Sequence, residues 1–177
     1  ADPTDTTNRL NTLENTMTDY ILNTDTLTAA THDAGREVYL YAFLRWAEEW
    51  LFIESEDFMP NPPVRLSVGL TPGTRLGKAS ASRIGGACYT RAQSKDGHNE
   101  IILNATLEGT RLLDVLLHEY IHASDDCASG HRGYFKRVAT AIGLVGPMDA
   151  TVAGPELQEL LNDYIAEHGP IPAAAMK

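Results

Sequence analysis

At 177 residues, 43% of them hydrophobic, the chain has the size of one globular domain with a sizeable core and leaves little for a second. Twenty-four acidic side chains against 14 basic ones give a formal net charge of −10. That balance opposes a broad phosphate-binding surface, because affinity for nucleic acid rests on Lys and Arg neutralising phosphates; the nearest thing to a basic cluster is Arg132, Lys136 and Arg137.

Residues 1–32 are rich in Thr, Asn and Asp, with Leu10, Leu13, Met17, Tyr20 and Ile21 at helical spacing, which predicts a peripheral amphipathic helix. From Asp33 to about Phe52 the period strengthens. Val38, Tyr41, Phe43, Trp46, Ala47 and Trp50 recur at three- and four-residue intervals, a helix whose aromatic face is better read as core than as a ligand site. Met59-Pro60-Asn61-Pro62-Pro63 stops any helix. Three β-like runs follow, Val64 to Val68, Arg83 to Tyr89 and Glu100 to Asn104, separated by Gly- and Pro-containing turns; Asp96-Gly97 suits a hairpin between the second and third. The expected sheet is small and mostly antiparallel, and the fold class α+β. A helix is predicted from about Gly109 to Ser124, with Thr106 or Thr110 as its cap. Another starts just after His131 with Phe135, Val138, Ala139 and Ile142 as its buried stripe, and the last runs from Pro155-Glu156 to about Glu167. The domain thus spans residues 33–168, between the N-terminal extension and a loose tail, 169–177.

No run is apolar enough to span a membrane and no signal peptide is visible, so the expected location is the cytoplasm, or the interior of a host cell were the chain viral. The only cysteines, Cys88 and Cys127, do not form a C-x-x-C pair, which excludes a zinc ribbon; one disulfide or two free thiols remain open, the thiols being the plainer state.

The chemistry concentrates in His118-Glu119-Tyr120-Ile121-His122. Positions four apart stand one turn above each other on a helix, so His118 and His122 can offer two imidazole nitrogens to one metal ion, with Glu119 placed to hold a water beside it. Leu112, Leu113, Leu116, Leu117, Tyr120 and Ile121 share one side of the helical wheel and the histidines the other, so the expected helix buries its apolar face and turns the histidines towards a cleft. Catalytic zinc takes three protein ligands and keeps one position open. A metzincin places Gly three and His six residues beyond the second histidine, where this chain has Asp125 and Ala128; a thermolysin-like Glu is missing, because no Glu occurs between Glu119 and Glu156. His131 remains as the third ligand.

The runs His118-Glu119-Tyr120-Ile121-His122-Ala123 and Gly130-His131-Arg132-Gly133-Tyr134-Phe135 resemble the SprT/Spartan family of zinc metalloproteases, which pairs H-E-x-x-H-A with a downstream G-H-G-x-x-F; here Arg132 stands in place of a glycine. Upstream, Pro63-Val64-Arg65-Leu66, Gly86-Ala87-Cys88-Tyr89 and Glu100-Ile101-Ile102-Leu103-Asn104 resemble further family elements, and the likeness covers about residues 60 to 145. It implies a zincin-like domain, a Zn2+ cofactor on His118, His122 and His131, and hydrolysis of protein substrates with Glu119 as general base. The family's role on proteins crosslinked to DNA sits poorly with an acidic chain that lacks a zinc ribbon and basic segments. A competing class, a zinc-stabilised scaffold or adaptor without turnover, needs the histidines but not Glu119. Around the site, Tyr134 reads either as an oxyanion stabiliser or as core, and Asp114, Asp125 and Asp126 as orienters of a ligand imidazole or as solvated surface. Cys127 reads as a plain thiol rather than an inhibitory ligand, and His32, His98 and His168 as bystanders.

Overall fold

The computed structural model describes residues 35–59, 64–71 and 84–172. The helix expected within residues 1–32 and the last five residues lie outside them. Five short strands and four helices follow in the order α1 (Arg36–Glu54), β1 (Val64–Gly69), β2 (Gly86–Tyr89), β3 (Asn99–Asn104), α2 (Gly109–Ser124), α3 (Gly133–Ala141), β4 (Leu144–Val145), β5 (Val152–Ala153) and α4 (Pro155–His168), with one 3-10 turn at Arg91–Gln93. The class is α+β, as expected. No described helix is long and apolar enough to cross a membrane.

The main sheet has the order β1-β3-β2, and here the expectation of a mostly antiparallel sheet is corrected. β3 pairs antiparallel with β2 (Gly86 opposite Leu103, Cys88 opposite Ile101) but parallel with β1 (Leu66 opposite Ile101). The chain lays β2 at the far edge and then returns to fill the gap, so β3 runs alongside β1. Turn residues report that consecutive runs reverse direction; they do not report on which side the third inserts. The loop joining β2 and β3 is also longer than a two-residue turn, because it holds the 3-10 segment before Asp96-Gly97.

α1 buries Tyr39, Leu40, Phe43, Leu44, Ala47 and Leu51, a stripe rotated from the one the aromatics suggest; Trp46 and Trp50 flank it half-buried. Phe43 and Trp46 pack on Tyr164 of α4, with ring centroids 5.0 and 4.8 Å away, so the aromatic face is core. The same helix closes the outer edge of β1: Tyr41 OH accepts from the Leu66 N–H at 2.9 Å and donates to Val64 O at 3.3 Å, while Glu37 Oε1 accepts from the Val68 N–H at 3.2 Å. Past the end of α4, Gly169 O accepts from Tyr39 OH at 2.8 Å and Pro172 O from Arg36 Nε at 3.2 Å, so the first residues of the segment expected to be loose are tied to α1.

α2 is the centre of the molecule. It packs on β2 and β3 on one side and on α1, α3, α4 and β5 on the others, and every residue from Leu112 to Ser124 is buried. Its residue before the first turn is Glu108, which makes no side-chain cap. The two threonines proposed as caps are used elsewhere, Thr110 Oγ1 accepting from Gln158 Nε2 at 2.6 Å and Thr106 Oγ1 donating to Asn104 Oδ1 at 2.8 Å. Asn104 is the staple at this corner: its Nδ2 donates to Thr71 Oγ1 and to Ile84 O, and its Oδ1 also accepts from the Thr106 N–H. It thereby fixes the entry to α2 from the end of the sheet. Asn104→Ala removes its bonds to Thr71, Ile84 and Thr106 while leaving the 2.8 Å bond from Thr71 Oγ1 to Ile84 O in place, and is expected to lower unfolding stability by about 1–2 kcal/mol in chemical denaturation.

Candidate metal centre

α2 ends at Ser124 in a way that aims the next segment back at its own histidines. The Asp126 N–H donates to Ala123 O at 3.0 Å and the Cys127 N–H to His122 O at 2.7 Å, the paired bonds of a Schellman closure. Such a closure needs a left-handed residue; here Asp126 (φ 53°) and Cys127 (φ 62°) both adopt it without being glycine, at roughly 1–2 kcal/mol each. Three anchors hold the turn. Asp126 Oδ1 accepts from the Arg91 N–H and from Asn99 Nδ2, both at 2.8 Å; Asp125 Oδ2 accepts from the Ser129 N–H at 2.9 Å; and Ser129 Oγ accepts from the Phe135 N–H at 3.2 Å. The loop therefore arrives at His131 already folded.

His118, His122 and His131 come together as the sequence predicts. Their nearest ligand atoms all lie within 4.8 Å of one another, and His118 Nε2 stands 3.3 Å from His131 Nε2. Two nitrogens bound tetrahedrally at roughly 2.0–2.1 Å from zinc are about 3.4 Å apart, so that pair is already at ligand spacing. Phe135 forms the floor, its ring centroid 4.3 Å from that of His122 in a stacked arrangement and 4.7 Å from that of His118. His131 is exposed, so the cluster opens to solvent on its side.

The electrostatics suit a cation. Burial pushes His118 down to about 3, aided by the neighbouring charges of His122, His131 and Arg111, and pushes His122 down to about 4, aided by His131 and opposed by Asp125. Both imidazoles are neutral near pH 7 with a lone pair to give. The three nitrogens thus fit a divalent metal in spacing, and the two buried ones also in protonation. Burial pushes Glu119 up to about 8, against the Cys88 N–H that favours its carboxylate; a nearby dication acts in the same sense as that N–H and restores the ionised form.

β2 is held tightly against the carboxylate. A Cβ at Gly86 would stand 2.7 Å from Glu119 Cγ, 2.9 Å from its Oε1 and 2.9 Å from Val115 Cγ1, so only glycine lets the strand come this close. His118, Glu119 and His122 are 9%, 7% and 7% exposed, because β2, α3 and the β4–β5 hairpin pack on the helix and leave the cluster open to solvent beside His131.

That hairpin contributes what sequence reading misses. Thr151, at its return, places Oγ1 2.8 Å from His118 Nδ1. With Nε2 on a metal, Nδ1 would carry the proton and donate it to the hydroxyl, which would fix tautomer and ring orientation. Thr151 is itself braced, since Arg111 Nη1 donates to Thr151 O at 3.0 Å and to Asp114 Oδ1 at 2.6 Å, and Asp114 Oδ2 accepts from the Ala153 N–H at 3.0 Å. Asp114 thus acts on His118 through the hairpin and not by touching the ring. The bonds of Asp125 and Asp126 hold the loop.

The remaining candidates fall away from the centre. Tyr134 OH accepts from the Met59 N–H at 3.0 Å and shares a 2.6 Å hydrogen bond with Ser124 Oγ, a bracing role at the end of α2. Cys127 pairs with Cys88, and its sulfur is not part of the ligand cluster, which among the described residues consists of the three histidines. His98 pairs with Asp96, His168 stacks on Tyr164, and His32 lies outside the described residues. No protein-family model, curated protein or solved structure matches the chain.

Two outcomes follow for the centre. Thr151→Val removes the acceptor at constant shape, and metal affinity measured by chelator competition is expected to fall about 10–100-fold, with Thr151→Ser close to wild type. His118 has its folded value below the ~6.5 of an unfolded imidazole, so it contributes stability that is present above about pH 6.5 and lost as pH falls toward 3. Between pH 7 and pH 5 the metal-free protein is expected to lose about 2 kcal/mol relative to His118→Asn, read from paired urea titrations.

Proposed function

We propose that this chain is a zinc-dependent peptidase of zincin-like fold, similar to the SprT/Spartan metalloproteases, acting on protein substrates in the cytoplasm or in a host-cell interior. The observation that carries the reading is the convergence of three imidazoles, two of them held neutral by burial, with the adjacent Glu119 carboxylate outside the ligand cluster. A purely structural site has no use for Glu119, and closes with four protein ligands rather than three.

His118, His122 and His131 are the residues that would hold zinc. When bound, zinc supplies a Lewis acid that polarises the scissile carbonyl and acidifies a water. Glu119 accepts a proton from the attacking water and delivers it to the leaving amine. Its buried setting raises its proton affinity, which suits the second task, and the Cys88 N–H keeps the carboxylate oriented. Thr151 holds the His118 ring in place through both steps. The net charge of −10 favours substrates that are not presented on a phosphate backbone.

Elemental analysis and a cleavage assay on unfolded protein test the reading together. Wild type is expected to carry about one zinc per chain, and His131→Ala to lose it. Glu119→Gln is expected to keep the zinc while losing cleavage by roughly 10²–10⁴-fold. A wild type without firmly held zinc sinks the proposal; full zinc with cleavage unchanged in Glu119→Gln makes the site a scaffold.

A further inference from the structure

The two cysteines of the chain are 39 positions apart, yet their Sγ atoms meet at 3.5 Å. Both are half-buried free thiols. Each belongs to an element that positions the metal centre. Cys88 lies on β2, and its N–H favours the Glu119 carboxylate. Cys127 lies in the loop between His122 and His131, where its N–H closes the end of α2 on His122 O and its Sγ reaches Cys88 O at 3.7 Å. Cys127 also occupies a left-handed conformation (φ 62°) that a cysteine side chain does not favour, so conformational preference does not explain a thiol there. Cys88 packs against the edge of the core, but Cys127 is not among the residues that do, so core packing does not explain a thiol in the loop.

We propose that Cys88 and Cys127 form a redox-active dithiol site, whose disulfide staples the strand behind Glu119 to the loop that carries His131. A disulfide requires its sulfurs to approach to about 2.0 Å, a shift of roughly 1.5 Å from the present separation, and Cys127 sits in a turn rather than in a ladder. The co-reactant is a low-molecular-weight disulfide such as oxidised glutathione. The Cys127 thiolate attacks one of its sulfurs and expels one thiol; Cys88 Sγ then attacks the mixed disulfide at Cys127 and expels the second. Two protein thiols are oxidised to one disulfide, the reagent is reduced to two thiols, and the two protein protons leave with them. The pairing stands independently of any peptidase activity. Its consequence, a redox-dependent grip of the ligand loop on the metal, rests on the zinc reading above.

The test treats the full chain, metal-free, with oxidised glutathione, then traps remaining thiols with an alkylating agent. Intact mass and peptide mapping are expected to show one internal disulfide joining residues 88 and 127, no alkylated thiol, and reversal by dithiothreitol; Cys88→Ser is expected to stop at a mixed disulfide on Cys127. Amide hydrogen exchange in residues 125–132 is expected to slow by roughly tenfold on oxidation and to recover on reduction. Two thiols that stay alkylatable, or one glutathione on each, overturn the pairing; a disulfide that leaves loop exchange unchanged overturns the staple. Neither readout depends on zinc or cleavage, so a chain that binds no metal counts against the peptidase and not against the dithiol.

Discussion

A helix buried on every side can carry polar side chains only if each is given a partner, and α2 carries Asp114, His118, Glu119, His122 and Ser124 through the middle of the protein. Much of the surrounding architecture answers that demand. Arg111 and the Ala153 N–H receive Asp114, Thr151 receives His118, the Cys88 N–H faces Glu119, and Tyr134 receives Ser124. Four of these partners, Ala153, Thr151, Cys88 and Tyr134, come from elements that meet α2 only after the chain has folded back on itself. The site is therefore assembled by the same contacts that bury the helix.

Burial also sets the charges. An imidazole that cannot easily be solvated stays neutral, and a carboxyl in the same surroundings holds its proton longer. Removing water from one face of α2 moves His118 and His122 downward and Glu119 upward together. A divalent cation held by the histidines would use their lone pairs and would reverse the balance for the glutamate. The fold and the neutrality of the two buried histidines are two readings of one desolvation.

Much of this was legible in the residues. The four-residue spacing of His118 and His122, the stripe of α3 and the bounds of α4 are local signals, and local signals survive into the structure. The direction of β3 relative to β1 was not legible, because turn chemistry is silent on insertion order. Nor was the β4–β5 hairpin, whose two-residue strands are too short to show a period, and with it went Thr151. A Pro147-to-Ala150 turn, in which the Ala150 N–H donates to Pro147 O at 2.8 Å, was the one available hint that Thr151 is carried back toward α2. The full burial of α2 escaped as well. A helical wheel ranks the faces of a helix by polarity and does not count how many layers will cover it.

The bonds from Arg36 and Tyr39 to Pro172 and Gly169 have a consequence beyond the packing of α1. The described core begins and ends at one spot. Arg36 and Pro172, next to the two ends of the described residues, are in direct contact. A short bridge between those two points would turn the domain into a closed ring without displacing a helix or strand, and new ends could then be opened elsewhere on its surface.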